Sequence, residues 1–222
     1  GFKAFMSPSG TEDFENADTT TLREAMKQIA PTGLRLALHA EDPAVLESAA
    51  RNQKEKLSAN DWEASRPVES EISAVKIAVE LAGETGCPIM IVHVSSVEVL
   101  EVILEGKARG VDISCETCPH YLLLSAEDAD RIGADAKCAP PLRSTDAVEA
   151  LQLAVLGGKF DTIGSDHSPS SPDLKEGMPF YDAWGGIAGL QHGYALLLDR
   201  FDLENAAHMA QLQEVEDPER FF

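Results

Sequence analysis

A barrel of parallel β-strands with intervening helices, present in part, is the fold class this sequence predicts. Three observations lead there. Short apolar runs alternate with helix-patterned stretches five times along the 222 residues, and such alternation implies parallel pairing through right-handed crossovers. One run, Leu34 to His39, is apolar almost throughout, as suits a strand buried on both faces of a parallel sheet. Finally, four residues that suit a divalent cation, Lys3, His39, His93 and Asp166, each sit inside or close such a run. In a parallel α/β barrel the C-terminal strand ends converge on one rim, where catalysis takes place.

The elements follow in order. Gly1 to Met6 alternates like a strand, and Ser7-Pro8-Ser9-Gly10 makes a loop. Thr19 or Thr20 caps a helix running to about Ile29. The second strand is Leu34 to His39, followed by a short helix over Ala44 to Arg51. Asn52 to Pro67 is polar and reads as loop, with a helix over Ser70 to Ala82 beyond it. Pro88 to Val94 is the third strand, its proline at the tolerated first position. A helix over Val97 to Lys107 leads to a fourth strand, Val111 to Cys115. Tyr121 to Leu124 is an apolar continuation, and Ala126 to Arg131 is helical. Cys138-Ala139-Pro140-Pro141-Leu142-Arg143 is a rigid loop, because two prolines lack ladder donors. The helix from Thr145 to Leu156 stops at Gly157-Gly158. Asp161 to Ser165 is the fifth strand; after a loop to Phe180, a last helix starts near Gly186.

Five units do not close eight strands. The expectation is one domain over residues 1–222, strands four to eight of a TIM (β/α)8 barrel, lacking the N-terminal strands and the C-terminal remainder. Opening on Gly-Phe-Lys and closing on Glu-Arg-Phe-Phe, the chain reads as cut at both ends, and by itself it is expected to be impaired as an enzyme.

A hydrophobic share of 44% and a charged share of 25% are ordinary for a globular protein. The formal charge of −20 argues against nucleic acid, whose phosphates it would repel. No apolar run approaches the ~20 residues of a bilayer span. With no visible signal peptide and four cysteines too few for a disulfide framework, a cytoplasmic protein with reduced thiols is expected. Cys115 and Cys118 have C-x-x-C spacing without a second pair, a weak sign of structural zinc. His192 and His208 fall in helical stretches and read as structural or exposed.

The chemistry concentrates on the four strand-end residues. Phe2 and Phe5 flank Lys3 and imply a low polarity that favours the neutral amine. A neutral amine can add carbon dioxide to become a carbamate, an anion able to bridge two metals. A lone histidine beside a buried strand is more often a core residue than a ligand. Two at equivalent strand ends, with an aspartate at a third, reverse that balance. A metal-held aspartate can also relay a proton from water to a leaving group.

The motifs Gly1-Phe-Lys-Ala-Phe5, Leu38-His-Ala-Glu41, His93-Val-Ser-Ser96, Cys115-Glu-Thr-Cys-Pro-His-Tyr121, Lys137-Cys-Ala-Pro-Pro-Leu-Arg143 and Gly164-Ser-Asp-His-Ser-Pro169 resemble, in order, those of the cyclic amidohydrolases. That group includes allantoinase, dihydropyrimidinase (hydantoinase) and dihydroorotase. Ala183-Trp-Gly-Gly-Ile-Ala-Gly-Leu-Gln191 is most similar to the allantoinases. The resemblance implies two divalent metal ions, taken as zinc, bridged by a carbamate formed from carbon dioxide on Lys3. His39 and His93 would bind one metal; Asp166 would bind the other and act as general base toward a bridging hydroxide. Backbone groups near Ala139 and Gly185 would hold a small cyclic ureide or amide, and the implied reaction is opening of allantoin to allantoate in purine catabolism. A homo-oligomer is expected for the full-length protein. The family's His-x-His pair occurs nowhere in this sequence and would lie before Gly1. Dihydroorotase or hydantoinase activity, and a non-catalytic scaffold of the same fold, are the competing expectations.

Overall fold

The computed structural model describes residues 1–53 and 57–201. Five parallel strands lie side by side in sequence order: β1 (Phe2–Phe5), β2 (Leu36–His39), β3 (Ile89–Ile91), β4 (Ile113–Thr117) and β5 (Thr162–Ile163). Unbroken sequential order with parallel pairing is the arrangement of a barrel wall. β1, β2, β3 and β5 are shorter than the expected runs, while β4 keeps the expected length but is shifted two residues along, to Ile113–Thr117 in place of Val111 to Cys115.

The register explains the two faces. Leu36 pairs with Ile89, which pairs with Ile113, and Leu38 pairs with Ile91, which pairs with Cys115. These side chains share one face, and all are buried. Helices cover them: α1 (Thr19–Ile29) contributes Leu22 and Met26, α4 (Val68–Thr85) contributes Val75 and Val79, and α5 (Val97–Ala108) contributes Val99 and Ile103. Alternate residues face the other way. There Lys3, Ala37, Met90, Glu116 and Thr162 border a space of about 440 Å³ drawn from all five strands. Leu34 to His39 was expected to be buried on both faces. Instead Leu36 and Leu38 are buried while Ala37 between them is only half-buried, because the inner face of the sheet is not filled.

Several local expectations need correcting. The cap of α1 is Asp18, whose carboxylate accepts from the Thr21 amide at 2.7 Å, rather than Thr19 or Thr20. After α2 (Pro43–Asn52), the polar stretch expected to be loop contains α3 (Ala59–Ser65). It lacks an apolar stripe but has a reciprocal cap between Ser58 and Asp61, and the Asp130 carboxylate accepts from Ala59 N at 2.7 Å. Tyr121 to Leu124 does not continue a strand. Pro119 starts α6 (Pro119–Leu123), which buries Tyr121 and Leu122, and α7 (Ala126–Ile132) follows. α8 (Thr145–Leu156) has the expected bounds. The last helix, α9 (Gly193–Arg200), begins after Gly186, because Gly186 takes a φ of 139° that helical backbone cannot use. Tyr121, Leu122, Cys138, Leu142, Leu151 and Leu197 form a second core cluster. No helix among the described residues is long and apolar enough to cross a membrane.

Candidate active site

Strand exits bring the predicted residues to one place. Lys3 lies in β1, His39 ends β2, and His93 and Asp166 stand just beyond β3 and β5. His93 and Asp166 are the two non-glycine residues with positive φ among those described, 45° and 41°. Left-handed backbone costs such residues of order 1–3 kcal/mol and is concentrated at functional sites. Lys3, His39, His93 and Asp166, with Ala139 and Gly185, line a single cleft of about 400 Å³.

The closest approach is between the two imidazoles. His39 Nδ1 lies 3.0 Å from His93 Nε2, with the rings edge to face. On its far side, His39 Nε2 is 2.8 Å from Glu41 Oε2. Glu41 is fully buried and also receives Arg66, whose Nε donates to Oε1 at 3.0 Å and whose Nη2 donates to Oε2. Burial alone would raise the Glu41 pKa. The Arg66 guanidinium and the His39 bond reverse this and bring it to about 2, so Glu41 is an anion. Burial, aided by His39 and Lys3, pushes the His93 imidazole well below its ordinary range, which leaves it neutral.

Behind His93 lies a second buried ion pair. Arg143 Nη2 donates to Glu71 Oε1 at 2.7 Å, Arg143 Nε donates to Ser95 Oγ at 3.1 Å, and Ser95 Oγ donates to the same Glu71 oxygen. Arg143 Nη1 also reaches the Arg66 carbonyl at 2.8 Å. The two pairs therefore form one connected frame under the histidines.

Lys3 Nζ stands 5.1 Å from the Phe5 ring centre. Desolvation lowers its pKa to about 8 against the opposing pull of Asp166 and Glu116. Burial likewise raises the Asp166 carboxyl, opposed by Lys3 and His39. Among the described residues, no group of three or more His, Cys, Asp or Glu side chains is gathered tightly enough to hold a metal unaided. The convergence is of His39 and His93, with Lys3 and Asp166 on the walls of the same cleft.

Sequence reasoning missed part of the cleft wall. Trp62, placed in an expected loop, donates from Nε1 to Cys138 O at 2.7 Å. Lys137 is buried with its ammonium 4.1 Å from the centre of that indole, and it donates to Ala183 O at 2.7 Å and to Tyr181 O. Lys175 donates to Gly186 O at 2.6 Å and Ala134 O at 3.1 Å. Two buried lysines thus tie the Tyr181–Gly186 segment, with Gly185 in it, to the rim. Lys137 and Arg143 stand in a motif already singled out, so the signal was there, but the partners were not. A Cβ at Gly186 would meet Ser168 O at 2.1 Å on a backbone already at φ 139°. Gly186→Ala is therefore expected to displace this wall, weakening binding of the cleft's ligand about 5- to 150-fold, as a loss of order 1–3 kcal/mol implies; ligand titration beside a melting curve would check it.

The C-x-x-C cysteines part company. Cys115 packs in the core under the sheet and Cys118 in the second cluster, all four thiols are free and buried, and burial pushes the Cys115 thiol up to about 12. His192 precedes α9, with its neighbour His120 bordering the same small apolar pocket. His208 lies outside the described residues.

Consecutive parallel strands with polar residues gathered at their C-terminal ends are the arrangement of one part of a parallel α/β barrel. No family model matches the chain. It is 49% identical over 201 residues to an allantoinase of Rubrobacter xylanophilus, covering 90% of this chain and 44% of that protein. An allantoinase of Solibacter usitatus is 42% identical over 217 residues, covering 97% and 48%. Among solved structures, the L-hydantoinase (dihydropyrimidinase) of Arthrobacter aurescens matches with TM-score 0.84 at 31% identity, covering 96% of this chain and 47% of that one. A D-hydantoinase of Thermus sp. matches with TM-score 0.85 at 24% identity, covering 96% and 48%, a likeness of fold alone. Over nearly its whole length the chain is thus similar to part of the allantoinases and of an L-hydantoinase. It spans about half the length of the curated relatives it matches.

Proposed function

We propose that this chain supplies strands four to eight, and most of the metal-binding and proton-relay residues, of a metal-dependent cyclic amidohydrolase that opens allantoin to allantoate. The observation behind this is the single cleft lined by Lys3, His39, His93 and Asp166. The allantoinase relatives point to the substrate. The hydantoinase neighbours make hydantoin the second ring to assay.

The donors fit divalent cations in kind. His39 Nδ1 and His93 Nε2 face each other at 3.0 Å, against roughly 3.4 Å between two nitrogen ligands of one tetrahedral zinc ion. His39 Nδ1 and His93 Nε2 would hold one cation, and Asp166 would serve the other. Lys3, with a pKa near 8, offers enough neutral amine at physiological pH to form a bridging carbamate. When bound, such cations polarise a carbonyl and lower the pKa of water. The residues of this chain do the rest. Asp166 takes a proton from the attacking water as the carbon–oxygen bond forms, then returns it to the ring nitrogen as the carbon–nitrogen bond breaks. The Ala139 and Gly185 backbone holds the ureide, and the Trp62–Lys137 wall narrows the cleft around it.

The test uses Lys3→Ala in the natural polypeptide that contains this sequence. Bound metal and allantoin hydrolysis should fall together, and a small added carboxylate should restore part of both. Full metal with near-normal turnover would show the lysine to be structural and remove the two-metal reading. Faster hydrolysis of hydantoin or dihydroorotate than of allantoin would reassign the substrate.

A further inference from the structure

Three consecutive residues of the cleft wall divide their side chains between core and ligand. Ala183 is buried, whereas Asp182 and Trp184 on either side of it are exposed, and both line the cleft. The backbone that carries them is held in place. Lys137 Nζ donates to the Tyr181 and Ala183 carbonyls, Trp184 N donates to Leu174 O at 3.0 Å, and Gly186 N donates to Lys137 O at 2.7 Å. The side chains are not held. Among the described residues the Trp184 indole, 39% exposed, has no ring, cation or hydrogen-bond partner, and the Asp182 carboxylate accepts no hydrogen bond. The Gly185 amide beside them also has no acceptor among the described residues. Trp62 makes the contrast: its Nε1 is bonded to Cys138 O, and Lys137 and Arg66 lie over its ring.

We propose that Trp184 is the specificity-determining residue for the group carried on the ligand's ring, stacking its indole on a planar ureido substituent whose NH2 donates to Asp182. This deepens the function proposed above and rests on it. With the ring held at Gly185, its substituent falls against the residue before, Trp184. A ureido group is flat and neutral, and it carries both an acceptor oxygen and N–H donors. An open indole face, the indole N–H and a nearby carboxylate match those features. A carboxylate on the same ring carbon would instead meet the Asp182 charge. Because the wall is already fixed, little ordering is needed when the ligand arrives.

The experiment compares allantoin with hydantoin, the same ring without the ureido group, on the zinc-loaded natural polypeptide that contains this sequence. Kd is measured by calorimetry in an Asp166→Asn background, where turnover is slow, and kcat/KM in the otherwise unaltered protein. Trp184→Ala should cost allantoin about tenfold in both, the order of one aromatic contact and one hydrogen bond, and leave hydantoin nearly unchanged. Trp184→Phe, which keeps a ring to stack on, should retain most of the preference, and Asp182→Ala should lose part of it. Equal losses for the two rings would make Trp184 a general wall of the cleft and overturn the proposal, as would an unchanged preference in Trp184→Ala. Allantoin that binds in the expected pattern but is not opened leaves the recognition standing and discards the reaction. Allantoin that is opened equally well without Trp184 does the reverse.

Discussion

Asp166→Asn is expected to reduce allantoin turnover about a hundred- to ten-thousand-fold, the usual cost of removing a general base, while much of the metal stays bound. Asparagine keeps an oxygen of similar shape but cannot accept and return a proton. The loss should fall on kcat rather than KM, because the Ala139 and Gly185 walls of the cleft are untouched. Asp166 tolerates its left-handed φ of 41° partly because aspartate is among the residues best suited to it, and asparagine shares that tolerance. The variant should therefore fold normally. Metal content measured beside steady-state kinetics separates the outcomes: unchanged kcat rules out the relay, and metal lost in proportion to activity makes Asp166 a ligand only.

Arg143→Met should be the most destabilising single change, by about 3–5 kcal/mol, the range for breaking a buried ion pair. It leaves the Glu71 carboxylate, 3% exposed, without its guanidinium, and takes donors from Ser95 Oγ and the Arg66 carbonyl. Replacing both partners by apolar residues, Glu71→Leu with Arg143→Met, should recover a large part of that loss, because no lone charge is then buried. Urea unfolding of the three variants measures this. A single variant within 1 kcal/mol of the parent would show that water reaches Glu71.

Much of the architecture could be read from residue pattern. Leu36, Leu38, Ile89, Ile91 and Ile113 announce strands by type and spacing, and α8 follows from its caps and periodicity. The candidate site was legible because strand ends of a parallel barrel converge whatever the intervening sequence, so Lys3, His39, His93 and Asp166 could be placed together unseen. Other features were opaque for a stated reason. α3 has no apolar stripe, and its order comes from Asp130, some seventy residues away in sequence. Tyr121 and Leu122 have the composition of a strand, and burial in the second cluster makes them helical.

By itself, then, the sequence determined the strand order, the helices with clear periodicity and the identity of the residues at the rim, all of which depend on local pattern and on a topology with one handedness. Only the tertiary structure decided which nitrogen of His39 faces His93, that Glu41 and Arg66 stand behind it, and that Lys137 ties Ala183 to the cleft wall. The His39–His93, Glu41–Arg66 and Lys137–Ala183 contacts join residues 54, 25 and 46 positions apart. Hydrogen bonds and ion pairs of that range depend on distances and directions that residue spacing along the chain does not encode.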